Sequence, residues 1–123
     1  ESKSSIRFRH WLRANPQYTA SYEMKDTGTS YSLPFDEVEE TQLDYGMAIQ
    51  SDKGVLIRVV AIAGGEPDYI YLRNTPSFIV IKYPTSFQII SVETFILEKK
   101  RSKRKSLTET RAREISVKEI PLK

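Results

Sequence analysis

No cysteine occurs in the 123 residues, and histidine occurs once, at His10. The first absence removes any disulfide framework and any thiolate metal site, and the second removes zinc sites built on two imidazoles. No cofactor is expected. Apolar runs are short as well: nothing approaches the ~18 to 20 residues that cross a bilayer. The opening Glu1–Ser5 lacks the apolar stretch of a secretory signal. These absences point to an intracellular protein without membrane contact, and the basic run at residues 99–105 has the composition of a nuclear localisation signal, so the expected place is nuclear if the source is eukaryotic and cytoplasmic otherwise. A first residue of glutamate instead of methionine reads as processing, or as excision from a longer chain.

Glycine is sparse, at five residues. No glycine-rich phosphate loop can be drawn, and Gly64–Gly65 reads as a turn. No serine has the sequence context of a nucleophile. Pro67–Asp68 together with Glu98, Lys99 and Lys100 formally match the Asp…Glu-x-Lys pattern of metal-dependent nucleases. Against that match stand the lysine-rich surroundings of Lys100, two further strand patterns inside the interval, and the lack of helical patterns. The acidic cluster Asp36, Glu37, Glu39, Glu40 and Asp44 lacks the spacing of a calcium loop and reads as a solvated loop. The chain is therefore expected to be non-enzymatic.

What is present is a segregated charge. The net charge of +3 hides a basic start, an acidic middle and a strongly basic end. Residues 26–98 hold four Lys or Arg against eleven Asp or Glu, whereas residues 99–123 hold ten against three. Segregation of this kind suits a polyanionic partner, and equally suits a tail lying on its own acidic body.

Alternation with period two runs through much of the chain and predicts strands. Ile6, Phe8, His10, Leu12 and Ala14 alternate with Arg7, Arg9, Trp11 and Arg13. After Asn15–Gln17, Tyr18, Ala20, Tyr22 and Met24 alternate with Thr19, Ser21, Glu23 and Lys25. The two runs fit a hairpin with one apolar and one polar face. Leu43, Tyr45, Met47 and Ile49 alternate next, and Ser51–Gly54 makes a turn with Gly54 left-handed. Strands over 55–63, 69–73 and 78–83 follow, separated by Gly- and Pro-containing turns. Thr85 to Lys100 has a helix-like start, yet its apolar residues spread around a helical wheel, which favours a strand.

The resulting expectation is an all-β fold: a small antiparallel barrel or sandwich, OB-like or SH3-like, with at most one short helix and a basic arm near the C-terminus. Residues 1–98 form the β domain, 99–113 a basic linker or arm, and 114–123 a last strand or docking peptide.

On that fold Arg7, Arg9, Trp11 and Arg13 share one wet strand face, where guanidiniums meet phosphates and an indole stacks on a base. The run Lys99, Lys100, Arg101, Lys103, Arg104 and Lys105 adds salt-sensitive attraction to phosphates. The function so read is nucleic-acid binding, single-stranded or irregular DNA or RNA favoured, in an accessory role in replication, repair or transcription. The competing expectation is a protein–protein module or homodimer anchored on the Trp11 face. Ser102 and Ser106, beside basic residues, are candidates for charge-reducing modification.

Overall fold

The structure is a computed structural model that describes residues 3–14, 20–59 and 68–122. It begins with helix α1, Lys3–Ala14. Strand β1, Ser21–Asp26, and the short β2, Ser32–Pro34, follow, then a 3-10 turn at Phe35–Glu37 and helix α2, Glu40–Gln50. Strands β3, Val55–Val59, and β4, Asp68–Leu72, form an antiparallel pair of their own. The centre of the chain is β5, Ser77–Lys82, β6, Ser86–Ser91, and helix α3, Val92–Arg101. Strand β7, Ser106–Thr108, helix α4, Glu109–Ile115, and β8, Lys118–Pro121, complete it.

The main sheet has the order β1-β5-β6-β8, with β1 parallel to β5 and the other pairs antiparallel. Parallel neighbours need a crossover, and residues 27–76 supply it. Alternation along β5 and β6 sends side chains to both faces. Ile79, Ile81 and Ile90 enter one core with Leu43 of α2, Val92 and Phe95 of α3 and Ala112 of α4. Val80, Phe87 and Ile89 face the other way, onto Phe8 and Trp11 of α1. The order of layers is thus α1, sheet, then α2, α3 and α4. Both faces of the centre strands are covered, which is why β5 and β6 read as near-continuous apolar runs.

The expected all-β barrel is incorrect: four helices pack on open sheets among the described residues. Two helices were hidden by a period that fits strand and helix alike. In α1 the buried Ser4 and Phe8 and the half-buried Trp11 stand at i, i+4 and i+7, one helical stripe. In α2 the buried Leu43, Gly46 and Ile49 repeat every third residue, while Tyr45 is exposed. A capping box between Glu39 and Gln42 fixes the start of α2. Gly46 lets α2 come close, since a Cβ there would stand 2.9 Å from Val92 Cγ2.

The segment 85–98 is neither all strand nor all helix. It switches at Ser91, whose Oγ accepts the Thr94 amide at 3.1 Å and so caps α3. That switch explains the scattered wheel, because the segment combines a strand period with a helical one. Residues 99–113 are not a free linker either, since they hold the end of α3, β7 and most of α4. Residues 118–121 are a strand on the edge of the main sheet. The loop Asn15–Gln17 of the expected first hairpin lies outside the described residues. No helix among the described residues is long and apolar enough to cross a membrane.

Candidate anion-binding corner at the end of α3

The helical first segment takes apart the proposed strand face. At about 100° per residue, positions 7 and 11 fall on one side of a helix and positions 9 and 13 on another. Arg7 lies over the Phe87 ring, 5.9 Å from its centroid. Trp11, half-buried, stacks on Phe8 at 5.9 Å and packs against the core cluster under α1. An indole packed in that way is not a platform for a base, so the stacking argument for a single strand lapses. Arg13 lies in α1 by its backbone.

The basic run fares differently, because the fold gives it a definite shape. Lys99, Lys100 and Arg101 form the last turn of α3, where cations complement the negative helix end. Ser102 caps that end, and its Oγ accepts the Arg104 amide at 3.1 Å, tightening the bend into β7. Lys99 is withdrawn from solvent: its Nζ reaches Glu40 at 3.0 Å and Asp36 at 3.5 Å. The Glu40 hydrogen bond leads in holding the Lys99 ammonium above its ordinary pKa, with Asp36 adding to it and partial burial opposing. Arg101 stands 3.9 Å from Glu98, a marginal pairing. Lys100, Lys103, Arg104 and Lys105 are exposed and have no ion-pair partner among the described residues.

Behind the corner Glu98, 6% exposed, is held by Arg111 of α4 through two hydrogen bonds, Nε to Oε2 at 2.7 Å and NH2 to Oε1 at 3.0 Å. That fork drives the Glu98 carboxyl below its ordinary pKa, although burial opposes it. Thr108 caps α4 by accepting the Arg111 amide at 3.2 Å, which sets the direction of the Arg111 backbone. The Arg111 guanidinium was not a candidate from sequence. It lies outside the basic run and thirteen residues from Glu98, a separation at which no periodic signal operates. A cavity of about 310 Å³ opens here, lined by Ser102, Lys103, Arg104, Ser106, Thr108 and Arg111 together with the buried Glu98 and Leu107.

A larger groove, about 480 Å³, runs past Thr85, Glu109 and Arg113. Its chemistry is internal. Buried Glu109 Oε2 accepts the hydroxyls of Thr85 and Ser86, each at 2.6 Å. Gln88 Nε2 donates to Ser86 Oγ and to Glu119, which Arg113 also holds. Gln88 and then Arg113 lower the Glu119 pKa. These groups tie α4 and β8 to β6.

Of the formal nuclease pattern, Pro67 and the Asp68 side chain lie outside what the structure describes. The helices whose absence counted against it are present, but both Glu98 oxygens are spent on Arg111. Among the described residues no cluster of three or more His, Cys, Asp or Glu is arranged to hold a metal ion. His10 is exposed on α1 and not, as expected, on an inward strand face.

No family model, no curated protein and no solved structure matches the chain. Its own geometry is therefore the ground for a functional reading.

Proposed function

We propose that this protein is a non-enzymatic module that binds nucleic acid through the phosphate backbone, using the corner formed by the end of α3 and the bend into β7. One observation carries the reading: Lys100, Lys103, Arg104 and Lys105 project into solvent from a folded corner, without carboxylate partners among the described residues. Unneutralised cations held this close repel one another and gain when a polyanion displaces their counterions. Arg7 and Arg9 of α1 lie beyond the opposite face of the main sheet and are left out of the binding surface.

The expected behaviour is affinity for DNA and RNA oligonucleotides that falls steeply with salt and depends little on base sequence. Removing the corner by truncation after Glu98 would also remove β7, α4 and β8, so substitutions are the proper test. A variant with Lys100, Lys103, Arg104 and Lys105 all changed to Gln is expected to lose most oligonucleotide binding at low salt while keeping its thermal midpoint. Unchanged binding by that folded variant refutes the reading.

A second reading rests on the β3–β4 hairpin. Leu56, Tyr69 and Tyr71 are 62%, 58% and 55% exposed. The register sets Leu56 opposite Tyr71, with Tyr69 two residues along on the same side of this pair. Large apolar side chains grouped in this way favour a protein contact. This moves the expected protein interface from Trp11 to the hairpin. Sedimentation showing a monomer at high concentration, for both the native chain and a Leu56→Ser variant, would remove self-association from consideration.

A further inference from the structure

We infer that the cavity between the end of α3 and the start of α4 is a receptor for one phosphate group, so that the corner holds its ligand at a defined point as well as by diffuse attraction. The inference rests on nucleic-acid binding at this corner and adds to it a site with fixed donors.

The lining carries Lys103, Arg104 and Arg111 against Glu98, a net charge of two positive units. Both oxygens of Glu98 face the Arg111 fork, and Arg111 NH1 also stands 3.6 Å from Glu114, so the Glu98 and Arg111 charges cancel inside the protein and Lys103 and Arg104 carry the charge presented to a guest. The α3 carboxyl end adds a partial negative charge, which the neighbouring Lys100 and Arg101 offset.

Hydroxyls complete the donor set. The Ser106 hydroxyl has no hydrogen-bond partner among the described residues and lines the cavity. Thr108 uses its oxygen to accept the Arg111 amide, which leaves its hydroxyl proton available. A phosphate offers several acceptor oxygens and no obligatory donor, and so complements a lining of cations and O–H donors. The framework is stiff on both sides. Pairing with Ser32–Pro34 fixes β7, the buried Tyr83 hydroxyl donates to the Leu107 carbonyl at 2.8 Å, and the Ser102 turn fixes the bend. Donors held in advance lose little freedom on binding.

The test is a titration of the intact protein with inorganic phosphate, followed by amide NMR in chloride at constant ionic strength. Saturable shifts confined to Ser102–Thr108 and Arg111 are expected. Arg104→Gln should weaken phosphate about tenfold, in line with loss of a charge-assisted hydrogen bond. Ser106→Ala should weaken it by a smaller factor, and Lys100→Gln, outside the cavity, by less than about twofold. Shifts spread evenly over all exposed cations, or equal weakening by Lys100→Gln and Arg104→Gln, would overturn the inference.

Oligonucleotides with and without a 5′-phosphate distinguish the source of the group. A preference for the phosphorylated end assigns the cavity to a terminal monoester, and equal binding assigns it to the backbone diester. Oligonucleotide binding without local phosphate shifts sinks the receptor and leaves nucleic-acid binding standing. Local phosphate shifts without oligonucleotide binding do the reverse.

Discussion

Arg111 and Glu98 face each other across the gap between α3 and α4 and exchange two parallel hydrogen bonds, at 2.7 and 3.0 Å. The pair joins two helices that have no other charged link between them among the described residues. Breaking a pair of this kind leaves a buried carboxylate without compensation, whereas removing both charges does not. Arg111→Met should therefore lower the urea midpoint more than the double variant Arg111→Met/Glu98→Gln. A double variant at least as unstable as the single one would show that the fork does not neutralise Glu98.

Acid should destabilise the protein through three carboxylates. Glu98 is depressed by Arg111, and Glu119 by Gln88 and then Arg113, from the ordinary value of 4.5. For Asp26 partial burial pushes upward from 3.8, and the Ser4 hydroxyl, the Gly28 amide and Lys82 outweigh it. Groups whose folded pKa is lowered contribute fully above the unfolded value and lose that contribution as pH falls through the folded one. Stability should hold down to about pH 5 and then decline. The decline should be shallower in Glu98→Gln, measured by thermal midpoints between pH 7 and pH 2. At the alkaline end Lys99, whose pKa is raised from 10.5, contributes fully below that value. Its contribution is lost as pH climbs through the higher folded pKa, and Lys99→Met should flatten the alkaline decline.

Two glycines should respond differently to alanine. A Cβ at Gly46 presses on the Val92 side chain at 2.9 Å, and overpacking of this sort costs about 1 to 3 kcal/mol. Gly54 has φ +70° and a Cβ would stand 2.4 Å from the Leu72 carbonyl oxygen, a backbone atom that cannot swing aside. Gly46→Ala should lower the global midpoint. Gly54→Ala should release amide-exchange protection in β3 and β4 first, because that pair forms a two-stranded sheet of its own among the described residues.

Phe8 is the anchor of α1, against Phe87 at 5.9 Å and edge-on to Tyr22 at 4.9 Å. Phe8→Ala should cost about 3 to 5 kcal/mol, the range for large aromatic truncations in a core. It should shift Trp11 emission to the red and reduce the helical circular dichroism. If the segment were the strand that its alternation suggests, the emission would shift without loss of helix signal.

The positions of β3, β4 and β5 were legible because each is a short β-branched or aromatic run between turn residues, that of β1 because its side chains alternate, and the left-handed Gly54 because it closes a polar turn. The helices were not. Arg7, Arg9, Trp11 and Arg13 alternate as cleanly as any strand, and only tertiary packing selects the stripe through Phe8. Leu43, Tyr45, Met47 and Ile49 misled for the same reason, because the close approach of Gly46 to Val92 exists only in the packed structure. For the candidate corner, Lys99 to Lys105 could be seen as a charge run. What composition could not show is that Lys99 turns inward to Glu40, or that Arg111 arrives from another helix.

The sheet order places the two halves of one hairpin, β5 and β6, at its centre, and segments from either end of the chain, β1 and β8, at its margins. A polypeptide emerging from the ribosome would hold β1 without a neighbour until residue 82 appears, and would leave the outer flank of β6 bare until residue 121 follows. The basic corner is likewise completed late, because β7 and Arg111 arrive only shortly before β8. The anion affinity proposed for that corner should accordingly develop late in synthesis.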